Sequence, residues 1–140
     1  MTDNTIRKSI YVKASRVQIW DHLTKPELLK AWFHVPKFEL TMGEPFEMFG
    51  RDSGEKMCWG RVRDATPYDR LEYTFSIDAM NGEKSKVIWT LKEVDTITRL
   101  SLVHSGLPRK AEALGLTLAL DKGWDDHIAE LREALKTLSA

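Results

Sequence analysis

Four histidines, His22, His34, His104 and His127, are the residues able to exchange a proton near neutral pH. They show no HxxxH, HxH or HExxH spacing, so no zinc site is expected, and no other cofactor is implied. There is also no glycine-rich phosphate loop and no GxSxG elbow. Cys58 stands alone, without a neighbouring histidine, and reads as a small buried hydrophobe, not a nucleophile. No residue is therefore assigned a catalytic role from motif. Two histidines occupy informative positions. His104 ends a strand whose inner parity is Leu100 and Leu102, where a histidine commonly meets water or a backbone group. His127 falls on the apolar stripe of the last helix, one turn from Trp124. Placed on either side of an apolar space, the two could orient a carbonyl or a phenol, or serve as acid or base.

The elements that must position them follow from periodicity. From Leu120 the large apolar residues fall at Trp124, Ile128, Leu131, Leu135 and Leu138, the stripe of one amphipathic helix. Gly115 and Gly123 weaken its beginning, and Leu114, Leu116, Leu118 and Leu120 are spaced by two. The firm helix is expected from about Gly123, with Arg109 to Asp121 less regular and able to act as a lid. Upstream, a strand is expected over Thr5 to Lys13. Ser15 caps a short helix carrying Val17, Ile19, Trp20 and Leu23, and Pro26 starts a second helix through Leu28, Leu29, Trp32 and Phe33, closed by Pro36.

Alternating strands then follow, carried by Phe38, Leu40 and Met42, by Phe46 and Met48, by Met57 to Ala65, by Leu71 to Ile77, by Val87 to Leu91, and by Leu100 to His104. Turns are expected at Gly43, Gly50 to Lys56, Pro67 to Asp69, Asn81-Gly82 and Asp95-Thr96. In the strand from Met57, Arg61 and Arg63 share the parity of Trp59, which places Trp59 on the outer face unless a bulge intervenes. A run of strands closed by one long helix gives an α+β fold, because the stripe of that helix must cover the sheet.

At 140 residues the chain is expected to form one domain spanning 1–140, with 42% apolar and 30% charged residues as in globular proteins. Lys plus Arg equals Asp plus Glu at 21 each, which argues against a nucleic-acid partner. No apolar run reaches the length of a membrane span, and MTDNTIRKSI lacks a signal-peptide core. With one cysteine, a cytoplasmic location is expected. Five tryptophans are many for this length and either fill a core or line an apolar cavity. The candidate ligand-binding set is Trp32, Phe33, Phe46, Met48, Tyr73, Phe75, Trp89, His104, Trp124 and His127.

Several phrases, taken in order, carry a resemblance: VQIWDHLTKPELLKAWF (Val17 to Phe33), GEPFEMFG (Gly43 to Gly50), WGRVRDATPYDRLEYTF (Trp59 to Phe75), VIWTL (Val87 to Leu91), TRLSLVHSGL (Thr98 to Leu107) and GWDDHIAELREAL (Gly123 to Leu135). Together they resemble the family related to the C-terminal domain of activators of the heat-shock protein 90 ATPase, within the START-like, polyketide-cyclase-like (SRPBCC) superfamily. The resemblance covers nearly the whole chain. It implies a helix-grip fold: a curved antiparallel sheet of six to seven strands around a long C-terminal helix, with two short helices after the first strand and a hydrophobic cavity between sheet and helix. It implies a hydrophobic or aromatic small molecule as partner, and it carries no family-wide catalytic residue. The alternatives it leaves open are a co-chaperone-like domain with a protein partner and a role in stress response, and a cyclase or aromatase using His104 or His127. Monomer and homodimer are both compatible with it.

Overall fold

A computed structural model describes residues 4–108 and 113–139, with side chains to Lys136. The elements run β1 (Ile6–Val12), α1 (Arg16–Thr24), α2 (Pro26–Leu29), β2 (Val35–Pro36), β3 (Pro45–Phe49), β4 (Lys56–Thr66), β5 (Arg70–Phe75), a 3-10 turn (Asp78–Met80), β6 (Ser85–Val94), β7 (Ile97–Ser105) and α3 (Leu114–Ser139). The seven strands form one antiparallel sheet in the order β1-β7-β6-β5-β4-β3-β2. The last strand thus pairs with the first, and β3 to β7 form a meander from one side to the other. Helix α3 lays Trp124, Ile128, Leu131 and Leu135 into the core. This is the helix-grip arrangement.

Local sequence explains most of these boundaries. Ser15 and Gln18 form a reciprocal capping box at the start of α1, satisfying two backbone donors that the first turn leaves free. Pro26 opens α2, where its missing N–H costs nothing. The turn before β6 uses Asn81 and Gly82, both at positive φ (52° and 87°), the conformation for which Asn-Gly is suited. Strand β5 alternates strictly, with Leu71, Tyr73 and Phe75 buried. In β4, Cys58 and Val62 point inward, while Trp59, Arg61 and Arg63 take the other face; Trp59 lies under the Lys56 ammonium at 4.7 Å. Gly60 is required by proximity: a Cβ there would stand 1.8 Å from the Thr74 carbonyl oxygen.

Three expectations are corrected. Phe38, Leu40 and Met42 do not form a strand. Leu40 donates its N–H to the Thr24 carbonyl, outside the sheet, and Phe38 is 80% exposed. Their alternation reflects one buried residue in an irregular link, since no neighbouring strand supplies a ladder. The second helix stops at Leu29, and Trp32 and Phe33 lie in the turn beyond it. Pro36 does not end that helix but joins Val35 in pairing with β3. The turn frees the carbonyls of Lys30, Ala31 and Trp32 for side chains from elsewhere. Finally, α3 is helical from Leu114, not only from Gly123. Gly115 and Gly123 are tolerated because packing of the opposite stripe outweighs their cost of about 1 kcal/mol each. Arg109 to Glu112, part of the expected lid, lie outside the described residues.

Candidate functional site: a cleft beside the N-terminal half of α3

Trp124 sits where α3 crosses the sheet and organises the aromatic residues around itself. Its ring stacks on Phe33 (5.3 Å between centroids, 22° between planes) and meets Trp89 edge-on at 5.6 Å and Phe75 at 6.1 Å. Trp89 in turn meets Trp32 edge-on at 5.9 Å and donates its indole N–H to the Tyr73 hydroxyl at 3.1 Å. Such offset and edge contacts bury rings while matching their quadrupoles.

His104 belongs to this interior. It has no exposed surface, and both ring nitrogens are engaged. The Trp124 indole N–H, which can only donate, bonds to His104 Nδ1 at 2.9 Å. The imidazole proton therefore resides on Nε2, which donates to Ser85 Oγ at 2.7 Å, and the Ser85 hydroxyl donates in turn to the Phe75 carbonyl at 2.7 Å. Burial pushes the His104 pKa down to about 4. The result is a neutral histidine in a closed chain that ties β7, β6, β5 and α3 together. His104 is fully bonded within the protein, so it contributes to holding the wall of any site and offers no free polar atom to a guest.

Open space lies further along. A cleft of about 440 Å³ runs between α3 and the start of β4 with the Ile77–Ala79 segment. The helix side presents Ala119, Leu120, Gly123, Trp124 and His127; Phe33 and Phe75 close the base, with Cys58 behind them. The size suits a small organic molecule. At Gly123 a Cβ would meet nothing within 4 Å, so this stretch of the helix leaves room that a larger side chain would take up.

Two histidines share this cleft. His127 donates Nδ1–H to the Trp32 carbonyl at 3.0 Å, which fixes the tautomer and leaves Nε2 as an acceptor. His34 lies beside it, 5.2 Å between ring centroids, and Phe33 is edge-on to His127 at 4.8 Å. Burial, then the neighbouring charges of His127 and Arg51, take the His34 pKa down to about 4. The His127 pKa is also lowered, mainly by burial. Burial lifts the Cys58 thiol to about 12, so it stays protonated. Among the described residues, no group of three or more His, Cys, Asp or Glu side chains converges as metal ligands would.

Of the ten candidate residues, Phe33, Phe75, Trp124 and His127 line the cleft. Trp32, Met48, Tyr73, Trp89 and His104 are buried in the interior behind it. Phe46 edges a second, larger groove of about 640 Å³, between the β2–β3 link and strands β3 and β4. His34, outside the ten candidates, also lines the cleft. It follows Trp32 and Phe33 in a turn, and only the tertiary approach of α3 brings it to His127. Gly123 lowers helix propensity in the sequence, yet it and Ala119 keep the helix side of the cleft small.

A sheet that grips one helix, with a lateral cleft beside that helix, defines the class of protein. Residues 13–136 match the family described as Activator of Hsp90 ATPase homolog 1-like protein, and the chain belongs to that family. A search of curated proteins gives no match. Among solved structures, DynU16, a protein of the dynemicin biosynthetic locus, is 25% identical over 97% of this chain, with a TM-score of 0.80; this chain spans about half of DynU16 (48%). Protein MLL2253 from Mesorhizobium loti is 22% identical, with a TM-score of 0.83, covering 95% of this chain and 97% of its own. The Aha1 dimer from Colwellia psychrerythraea is 20% identical, with a TM-score of 0.76 and 96% of both chains covered. The last two likenesses show the fold. No described helix is long and apolar enough to cross a membrane.

Proposed function

We propose that this chain is a small-molecule-binding protein that holds an apolar, aromatic guest in the cleft beside α3. The observation that carries the reading is the coincidence of three aromatic side chains, Phe33, Phe75 and Trp124, with histidines whose ring nitrogens are not all bonded among the described residues, along one open space of ligand size. The guest lies along the helix at Gly123, and the interior rings behind it keep the wall rigid. A cytoplasmic setting fits the buried, unpaired Cys58.

The test uses Gly123, because the position is open and a side chain there raises helix propensity. Naphthalene, titrated by calorimetry and by chemical-shift mapping, is expected to perturb Phe33, Trp124 and His127. Gly123→Leu is expected to abolish those shifts while the protein stays folded. Binding unchanged in Gly123→Leu, or shifts confined to other surfaces, would remove the reading.

A second reading, a protein-interaction domain, draws on a different region. Phe38 and Met42 are 80% and 50% exposed on the β2–β3 link beside the second groove. The Colwellia relative is a dimer, and self-association through this face would be seen as loss of the dimer in Phe38→Ser by sedimentation.

A further inference from the structure

We infer that the guest is an uncharged aromatic bearing a hydroxyl group, and that His127 Nε2 accepts the hydrogen bond from that hydroxyl. This rests on the proposed cleft and names the chemistry it selects. The argument begins with the Trp32 carbonyl. A carbonyl can only accept, so the His127 nitrogen 3.0 Å away must carry the proton, and the neutral ring then presents a lone pair at Nε2. Among the described residues nothing bonds to Nε2, nor to either ring nitrogen of His34. Neither residue's nitrogens are sealed from solvent without a partner, a condition found among the described side chains only at Arg16 Nε. His127 Nε2 is thus a fixed acceptor whose complement is a donor, while His34, bonded at neither nitrogen, offers one donor and one acceptor and selects neither.

The charges around the cleft decide which donor. Lys56, at the mouth, is turned to the outer face, over Trp59 at 4.7 Å and paired with Glu47 at 3.4 Å. Arg51 bonds the carbonyls of Lys30 and Ala31 and pairs with Glu130 at 3.2 Å. Among the described residues lining the cleft no unengaged lysine or arginine waits for a carboxylate, while Glu55 and Asp78 line the mouth with negative charge. A carboxylate guest would bury a charge against a lone pair. For an ammonium guest the Arg51 charge, which already disfavours the charged form of both histidines, opposes the pull of Glu55 and Asp78. A phenol or aromatic alcohol donates without charge and sets its ring against the apolar side chains that line the cleft.

Three probes of one shape separate the possibilities at pH 7.5: 2-naphthol, naphthalene and 2-naphthoate. The expected order is naphthol about tenfold tighter than naphthalene, the fold-change of one well-formed neutral hydrogen bond, with naphthoate weakest. His127→Phe keeps a ring in place and is expected to bring naphthol down to the naphthalene level. Ring ¹⁵N spectra of the unaltered protein give a readout free of any variant: the His127 Nε2 resonance is expected to move with naphthol and stay with naphthalene. Naphthalene bound as tightly as naphthol, naphthoate bound tightest, or a preference surviving His127→Phe would overturn the inference and leave the binding cleft intact. Neither neutral probe bound would overturn the cleft itself.

Discussion

His104 and His127 are the same side chain on different elements, β7 and α3, but only one ring apart in space, since Trp124 touches both (5.9 and 6.3 Å between centroids). Around His104 every donor has an acceptor: indole to imidazole, imidazole to hydroxyl, hydroxyl to carbonyl. Around His127 the chain stops after one bond, at the Trp32 carbonyl. The first arrangement has nothing left to offer a ligand and everything to lose if cut. The second holds its ring in place with one nitrogen and keeps the other free. The lesson is that a buried histidine signals function only through the nitrogen the protein does not use.

The largest expected effect comes from cutting each chain. His104→Ala leaves the Trp124 N–H unpaired, removes a partner of Ser85 and opens a void in the core. A loss of about 3–4 kcal/mol of unfolding free energy is expected. His127→Ala removes one bond at a half-exposed site, where water can serve the Trp32 carbonyl, and is expected to cost under about 1 kcal/mol. Urea denaturation of the two variants at neutral pH checks this. Equal losses would break the contrast between a structural and an available histidine.

Acid probes the same contrast without removing the side chain. The His104 pKa is about 4 when folded, against about 6.5 for an unperturbed histidine. The folded state then binds fewer protons than the unfolded state between those values, so stability increases with pH there. The contribution of neutral His104 is complete above about pH 6.5 and is lost as pH falls toward 4, about 3 kcal/mol in all. His34, also lowered to about 4, acts with the same sign. Denaturation midpoints at pH 7 and 4.5 are expected to diverge less in His104→Gln than in the unaltered protein. An identical divergence would place the acid sensitivity elsewhere.

The fold was legible where period and packing agree. The stripe at Trp124, Ile128, Leu131 and Leu135 marks the buried face of α3, and Leu71, Tyr73 and Phe75 mark the inner face of β5. It was not legible where alternation lacked a ladder, as at Phe38 to Met42, because period two measures burial and not hydrogen bonding. Of the site, Trp124 and His127 could be placed on one helix face from their spacing. The separation of cleft rings from core rings could not, because Trp32 and Phe33 are adjacent in sequence and divide between the two only through the turn after α2. His34 illustrates the same limit: its neighbour His127 is supplied by tertiary packing alone. A sequence shows which faces are apolar, but not where two apolar faces part.

The smallest effect sharpens the comparison most finely. Arg51 reaches from the β3–β4 loop to Glu130 and to the carbonyls after α2, partly exposed throughout. Its loss in Arg51→Gln is expected to cost only about 0.5 kcal/mol, since half-exposed ion pairs are screened by water and salt. Its charge nonetheless bears on the cleft histidines: Arg51 lowers the pKa of both His34 and His127, whereas burial alone lowers that of His104. Arg51→Gln is therefore expected to raise the His34 and His127 pKa values and leave His104 where it is, as followed by ring-proton shifts against pH. A common shift of all three would mean that the core histidine feels the mouth of the cleft, and that the closed hydrogen-bond chain does not insulate it.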